Sequence, residues 1–167
     1  MRPNPEPDLI GQLPRLRRYA RALTGDATRA DDLVQDTLER ALAKLALWQP
    51  GSDLRAWLFA LMHNLFVNQL RSARPQDVEL DEAADVPVGG GQIEALAARD
   101  MASALQRLPD GQRAVLLLVG LEQFSYAEAA QVLGVPVGTV MSRLARARER
   151  MRLILAGESV VQLKVVK

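Results

Sequence analysis

The sequence predicts an all-α protein of two small helical domains joined by a flexible acidic linker. Leu, Ala and Arg, which favour helices, dominate it, and aromatic residues make up only 4%. No stretch has the β-branched runs and tight Asn-Gly turns of a strand-rich fold. Apolar residues recur at helical spacing on both sides of a segment rich in Pro, Gly and acids. A chain of 167 residues is long enough for one or two packed domains.

The first predicted domain covers residues 9–74. Residues 1–8 contain three prolines and are expected to be disordered. Apolar spacing predicts helices at about 9–23, 28–47 and 54–72. Pro50 and Gly51 form the breaker pair that separates the last two.

An acidic linker is predicted at residues 75–92. Residues 75–94 hold six acids and no base, whereas residues 1–74 hold 11 bases against 8 acids. Residues 95–167 hold 10 bases against 6 acids, so the net charge of +1 conceals two basic blocks. Such asymmetry favours contact with nucleic acid.

The second predicted domain covers residues 93–156. Its helices are expected at about 93–107, 110–120 and 126–133, with a last helix beginning near Pro136. The tail, residues 157–167, either packs as a short added element or frays, and fraying is the prediction.

Residues 125–148 have the pattern of a helix-turn-helix. Ser125 and Glu128 have the spacing of a capping box, and Gly134 stands where the turn needs a left-handed or unhindered residue. The second helix would turn its first side chains toward a major groove and its arginines toward phosphates. The candidate DNA contacts are Gly138, Thr139, Met141, Ser142, Arg143, Arg146 and Arg148. The alternative is a basic surface helix of an ordinary α-domain. Met141 cannot make bidentate hydrogen bonds to a base, so the helix is predicted to recognise a DNA sequence only weakly by itself.

The third helix carries a polar stripe opposite its apolar side. Asn64, Asn68 and Arg71 follow the spacing i, i+4 and i+7. Trp48, Gln49 and Arg55 lie nearby in sequence, and aromatic and amide groups around a loop suit an unstacked base. A core anchor at Trp48 and solvated asparagines are the alternative.

The second helix has an acidic side that a DNA-binding surface would not carry. It contains Asp32, Gln35, Asp36 and Glu39. This side is either a solvated face or a docking face for a basic partner.

No residue pattern indicates an enzyme. The chain has no cysteine and one histidine, His63, without the acidic cluster of a metal site or the partners of a nucleophile. The triple glycine at 89–91 lies in the linker and not between a strand and a helix. We therefore expect no catalytic residue, no cofactor and no metal. The longest apolar run, residues 114–119, is too short for a membrane span, and nothing resembles a signal peptide, so a cytoplasmic protein is expected.

Four segments together resemble a bacterial sigma-70 family factor of the extracytoplasmic function (ECF) group. They are ADDLVQDTLERALAKL at 30–45, WQPGSDLRAWLFALMHNLFVNQLR at 48–71, LQRLPDGQRAVLLL at 105–118 and SYAEAAQVLGVPVGTVMSRLARARERM at 125–151. The resemblance covers roughly residues 9–155. It implies that residues 9–74 are sigma region 2 and that residues 93–156 are sigma region 4.

The resemblance also implies partners. Asp32, Gln35, Asp36 and Glu39 would dock on the β′ clamp of core RNA polymerase. The −10 element of promoter DNA would be captured and melted by Trp48, Gln49, Arg55, Asn64, Asn68 and Arg71. Region 4 would bind the −35 element and the β flap, and an anti-sigma factor would inhibit the protein.

Two other functions stay open. A sigma-like decoy would sequester an anti-sigma factor; such decoys usually carry an attached receiver domain and tend to lose the basic residues of the recognition helix, which remain here. An autonomous helix-turn-helix repressor would need a dimerisation element, and no heptad pattern is evident. Dependence on polymerase separates the three.

Overall fold

The computed structural model describes residues 6–49, 51–73 and 93–157, with side chains from 9 onward in the first part and from 98 onward after the linker. Everything regular in these ranges is helical, as the sequence predicts. The elements are α1 (Glu6–Thr24), α2 (Ala27–Ala43), α3 (Leu54–Ala73), α4 (Ile93–Gln106), α5 (Asp110–Leu116), α6 (Tyr126–Leu133) and α7 (Val137–Leu155). The predicted linker at 75–92 lies outside the described residues, as do 1–5 and 158–167.

Helices α1, α2 and α3 form an N-terminal bundle around Leu16, Leu33 and Leu58, none of which is exposed. Gly25, at φ +72°, turns the chain after α1, and the Asp26 carboxylate then accepts hydrogen bonds from the first amides of α2.

Helix α1 begins at Glu6, so the expectation of disorder through residue 8 is wrong for its last three positions. The reason is that Pro7 falls in the first helical turn, where a missing N–H costs nothing.

Helix α2 ends at Ala43, earlier than the predicted residue 47. The chain tightens into a 3₁₀ turn at Leu45–Leu47, in which the Leu47 amide donates to the Lys44 carbonyl at 2.9 Å. Trp48 follows this turn and packs against the core.

Helices α4 to α7 form a C-terminal bundle that contains the predicted helix-turn-helix. Ser125 and Glu128 make both bonds of the capping box, and Gly134 caps α6 in the left-handed conformation. Pro136 precedes the first turn of α7, and Val140 and Leu144 are buried. These local predictions are confirmed.

The predicted helix at 110–120 is regular only as far as Leu116. A π-helical turn follows at Leu117–Leu121, and the Glu122 amide reaches back to the Leu117 carbonyl at 2.9 Å. This wider turn brings Glu122 and Phe124 against the other bundle.

The two bundles pack against each other and share one hydrophobic core. The Phe59 ring on α3 stands edge-on to Tyr19 of its own bundle at 5.1 Å and to Phe124 of the C-terminal bundle at 5.2 Å between ring centres. Phe59, Met62 and Phe66 of α3 are buried along with Leu54 and Leu58, because this helix has a bundle on each flank.

Candidate nucleic-acid interface

The acidic side of α2 is exposed along its whole length. Asp32, Gln35, Asp36 and Glu39 all face solvent, while Leu33, Val34 and Thr37 on the opposite side are buried. The only bonds these four groups make to other described side chains are two amide contacts, from Gln35 to Glu39 at 3.3 Å and from Gln69 to Asp36 at 3.2 Å. The carboxylates are therefore available to a basic partner.

The polar stripe of α3 lines a groove of about 490 Å³. Asn64, Asn68 and Arg71 are exposed on one wall, as the spacing predicts. Arg40 and Lys44, one turn apart at the end of α2, belong to the same groove. Sequence reasoning missed these two basic side chains, because their approach to Arg71 depends on how α2 packs against α3. The groove combines three cationic side chains with amides, which suits a phosphate backbone with an adjacent base.

The other three candidates for −10 contact lie elsewhere. Gln49 is exposed in the turn before α3, where its carbonyl accepts a 2.6 Å hydrogen bond from the Ser52 hydroxyl. Trp48 is half-buried against the core, and its indole N–H has no partner among the described residues. Arg55 turns toward the C-terminal bundle, where its guanidinium lies 3.9 Å above the centre of the Phe124 ring.

The outer side of α7 is exposed at its first turns. Gly138, Met141, Ser142, Arg146 and Arg148 face solvent, and Met141 is 52% exposed. Thr139 is half-buried, and its carbonyl accepts a hydrogen bond from the Ser142 hydroxyl at 3.1 Å. Helix α7 thus offers a short uncharged surface followed by guanidinium groups, as the helix-turn-helix pattern predicts.

Arg143 differs from the other arginines of α7 because it is half-buried. Its guanidinium packs over the backbone at Gly111, about 3.5 Å from where a side chain would start there. It also lies close enough to His63 on α3 to affect that group. Burial, and then the Arg143 charge, lower the pKa of His63 to about 4. The helix with the −10 candidates packs on α6, which packs in turn on α7, the helix with the −35 candidates.

A buried carboxylate joins the bundles. Both carboxylate oxygens of Glu122, whose side chain is fully buried, accept hydrogen bonds from Arg18 on α1, at 3.1 and 3.0 Å. Arg55 donates to the Glu122 carbonyl at 2.9 Å. Sequence reasoning missed Arg18 and Glu122, which are 104 positions apart and have no shared motif.

The described residues contain no group of three His, Cys, Asp or Glu side chains arranged to hold a metal ion. Within the same ranges, no helix combines the length and the apolar character needed to cross a membrane.

Two family models match the chain. A model described as the sigma2 domain of PhyR matches residues 9–63, and a model of sigma-70 region 4 matches residues 98–151. The ECF RNA polymerase sigma factor EcfG of Rhodopseudomonas palustris is 43% identical over 150 residues, which cover 89% of this chain and 83% of that protein.

Two solved structures superpose on both bundles. The co-crystal structure of the sigma factor RpoE with the anti-sigma factor NepR from Bartonella quintana matches with a TM-score of 0.75 at 36% identity, covering 90% of this chain and 96% of that one. The anti-anti-sigma factor PhyR of the same organism, complexed with NepR, gives a TM-score of 0.62 at 20% identity, over 89% of this chain and 49% of that one. At that identity the likeness to PhyR concerns the fold alone.

Proposed function

The chain belongs to the extracytoplasmic function group of sigma-70 family RNA polymerase sigma factors, and from this membership we propose how its surfaces divide the work of promoter recognition. As a sigma factor it directs RNA polymerase to promoters. Its relatives are transcription factors, and we propose that the polymerase performs all the chemistry, in the cytoplasm where it transcribes the chromosome.

The exposed carboxylates of α2 dock on core polymerase in this proposal. Asp32, Asp36 and Glu39 have no cationic partner among the described residues, so they need not lose an internal ion pair when they meet basic groups on the β′ clamp. Opposite charges of this kind speed encounter and fix orientation.

The groove between α2 and α3 holds the −10 strand. Arg40, Lys44 and Arg71 supply charge for phosphates, and Asn64 and Asn68 supply donors and acceptors for a base edge. Extruding a base costs a few kcal/mol, and a preformed site offsets that cost by binding the freed nucleotide.

Helix α7 binds the −35 element through its exposed first turns and its arginines, and region 4 contacts the β flap. A small uncharged reading surface gives weak selectivity, so region 4 depends on polymerase to tether it to region 2. Two weak readers held on one enzyme select a promoter that neither would select alone.

We also propose an anti-sigma factor as a partner. Its support is the superposition of both bundles on RpoE, which is held by NepR in that structure. Titrating a purified candidate inhibitor into a transcription reaction, and recovering the transcript with added sigma factor, tests this partner.

The exposed acidic side of α2 is the observation that carries the proposal, and run-off transcription tests it. The purified protein is mixed with bacterial core polymerase on the upstream region of its own gene. We expect a specific transcript that disappears in Asp36→Lys/Glu39→Lys. Asp100→Lys/Asp31→Lys matches the change in charge and should keep the transcript, since Asp100 lies on α4 and Asp31 is outside the proposed contact set. A transcript that survives reversal of Asp36 and Glu39 would contradict docking through this face.

The match of residues 9–63 to the PhyR model favours one second candidate, a decoy that binds an anti-sigma factor but not polymerase. Pull-down of core polymerase separates the two. A protein that captures a NepR-type anti-sigma factor and no polymerase would be a decoy.

A further inference from the structure

The exposed side of α7 begins with an apolar stripe. Val137, Met141 and Ala145 follow the spacing i, i+4 and i+8, which places them along one side of the helix. All three are exposed, Val137 by 42% and Met141 by 52%. The stripe covers roughly 12 Å of the helix axis, the length of about three to four base pairs. The first turns of the helix proposed to bind the −35 element are therefore apolar.

The residues beside the stripe add little capacity for hydrogen bonding. Gly138 has no side chain, and a Cβ built there would meet nothing within 4 Å, so another molecule can approach the backbone closely. The Ser142 hydroxyl already donates to the Thr139 carbonyl at 3.1 Å. Arg143, the first basic residue of α7, is half-buried against the backbone of α5. The first turns of α7 thus present mainly apolar groups to a binding partner.

Guanidinium groups follow the stripe, and they favour DNA over protein as the molecule that covers it. Arg146 and Arg148 are exposed on the next turn. Glu149, the one acid of α7, pairs with Arg152 at 2.8 Å, so it is engaged away from these two arginines. An apolar surface bordered by cations matches a duplex, in which the base edges lie between negatively charged phosphates.

Thymine is the base best suited to an apolar surface. The four bases present different groups in the major groove, and thymine alone carries an apolar one, its 5-methyl group. Burial of that methyl against Met141 is favourable, and the flexible thioether side chain can adapt to its position. A guanine, adenine or cytosine would instead place a polar edge under the stripe, where it loses a hydrogen bond to water and gains none.

We propose that Met141, flanked by Val137 and Ala145, determines specificity for the −35 element by contact with thymine methyl groups in the major groove. Arg146 and Arg148 bind the neighbouring phosphates and fix the position of the helix. The inference rests on the proposed function, and it names the base that the −35 surface selects.

Replacement of thymine by deoxyuridine tests the contact, because it removes the methyl group and keeps every hydrogen-bonding group of the base. Holoenzyme first selects fragments from a library of the upstream region of its own gene, randomised over the −35 element. The selected fragment is then synthesised with either thymine or deoxyuridine at its −35 thymines. Fluorescence anisotropy gives the dissociation constant of each fragment for the holoenzyme.

The same two fragments are measured with Met141→Ala holoenzyme. This variant should fold, because Met141 is exposed and Ala favours helices. Met101→Ala is the matched control, since Met101 is an exposed methionine on α4, away from the stripe. Binding of each variant to core polymerase is measured separately.

We expect deoxyuridine to weaken binding by wild type and by Met101→Ala about fourfold for each methyl group that contacts the stripe. Met141→Ala should bind the thymine fragment more weakly than wild type does, and it should distinguish the two fragments by less than about twofold. An effect of the missing methyl on the shape of the DNA would be equal in all three proteins, so the difference between them isolates the side-chain contact.

A selected −35 element without an A·T pair would overturn the inference, and so would equal binding of the two fragments by wild type. An equal preference for thymine in wild type and Met141→Ala would exclude Met141 as its cause. A loss of core polymerase binding in Met141→Ala would place the stripe against protein instead. If wild-type holoenzyme selects no promoter from the library, the proposed function itself fails, whereas each of the other results leaves that function standing.

Discussion

Helices α2 and α7 are built alike and charged oppositely. Each buries one apolar side, with Leu33 and Val34 on α2 and Val140 and Leu144 on α7. The outer side of α2 exposes carboxylates, while that of α7 exposes guanidinium groups. The two helices therefore pack in the same way, through one buried apolar side. They differ in the charge on the exposed side, which is negative on the helix proposed to dock on protein and positive on the helix proposed to bind DNA.

The two bundles differ in the charge of their outer faces but share one hydrophobic core. A substitution of Phe59 tests how much the stability of the protein depends on that shared core. Phe59→Ala removes a fully buried ring that contacts both bundles, so we expect a loss of about 3–5 kcal/mol in the free energy of unfolding. Urea denaturation followed by circular dichroism measures it. A loss below about 1 kcal/mol would contradict the shared core.

The arginines of α7 predict a change in salt dependence that the acids of α2 do not. Arg146→Gln/Arg148→Gln should weaken holoenzyme binding to a −35-containing promoter and reduce the slope of log K against log salt by about 2, one phosphate contact for each residue. Fluorescence anisotropy at several salt concentrations gives the slope. An unchanged slope would mean that these arginines are only solvated.

His63 at the junction of the bundles predicts a pH effect. Its pKa is lowered from 6.5 to about 4, so the folded protein binds fewer protons than the unfolded chain between these values. The free energy of unfolding therefore does not change with the titration of His63 above about pH 6.5, and it decreases as the pH falls from 6.5 toward 4. We expect wild type to lose on the order of 2 kcal/mol more than His63→Gln between pH 7.5 and pH 5, measured by urea denaturation at both pH values. Equal losses in the two proteins would exclude a buried neutral His63.

Removal of the N-terminal caps of α6 and α2 gives the smallest predicted losses in the free energy of unfolding. Ser125→Ala breaks the capping box of α6, and Asp26→Ala removes the cap of α2; each should cost about 1 kcal/mol in the free energy of unfolding. Hydrogen bonding from Ser125 also holds the pKa of Glu128 below its usual value. Thermal unfolding should show lower midpoints for both variants, and an unchanged midpoint for Ser125→Ala would mean that the box is only a surface contact.

Local signals in the sequence predicted most of the fold. The capping box, Gly134 and the apolar spacing of α7 act over a few residues, so they can be recognised without tertiary information. The groove could not be predicted without tertiary information, because Arg40 and Lys44 approach Arg71 only when α2 packs on α3.

The interface between the bundles lay beyond sequence reasoning. Glu122 looks like an ordinary loop acid, and only the π-helical turn before it brings its carboxylate to Arg18. Arg55 fitted a DNA-contact pattern by its position next to the loop, yet in this structure it covers Phe124. Both depend on contacts between residues far apart in the chain, which no local pattern encodes.

The most direct test compares charge reversals on the two helices in one pair of binding assays. Asp36→Lys/Glu39→Lys and Arg146→Glu/Arg148→Glu are each titrated against core polymerase, and the resulting holoenzymes against a promoter fragment. We expect reversal on α2 to weaken core binding at least a hundredfold, about 3 kcal/mol, and reversal on α7 to leave core binding near wild type while weakening promoter binding. Loss of core binding by the α7 variant with none by the α2 variant would contradict the assignment of protein docking to the acidic helix and DNA reading to the basic one.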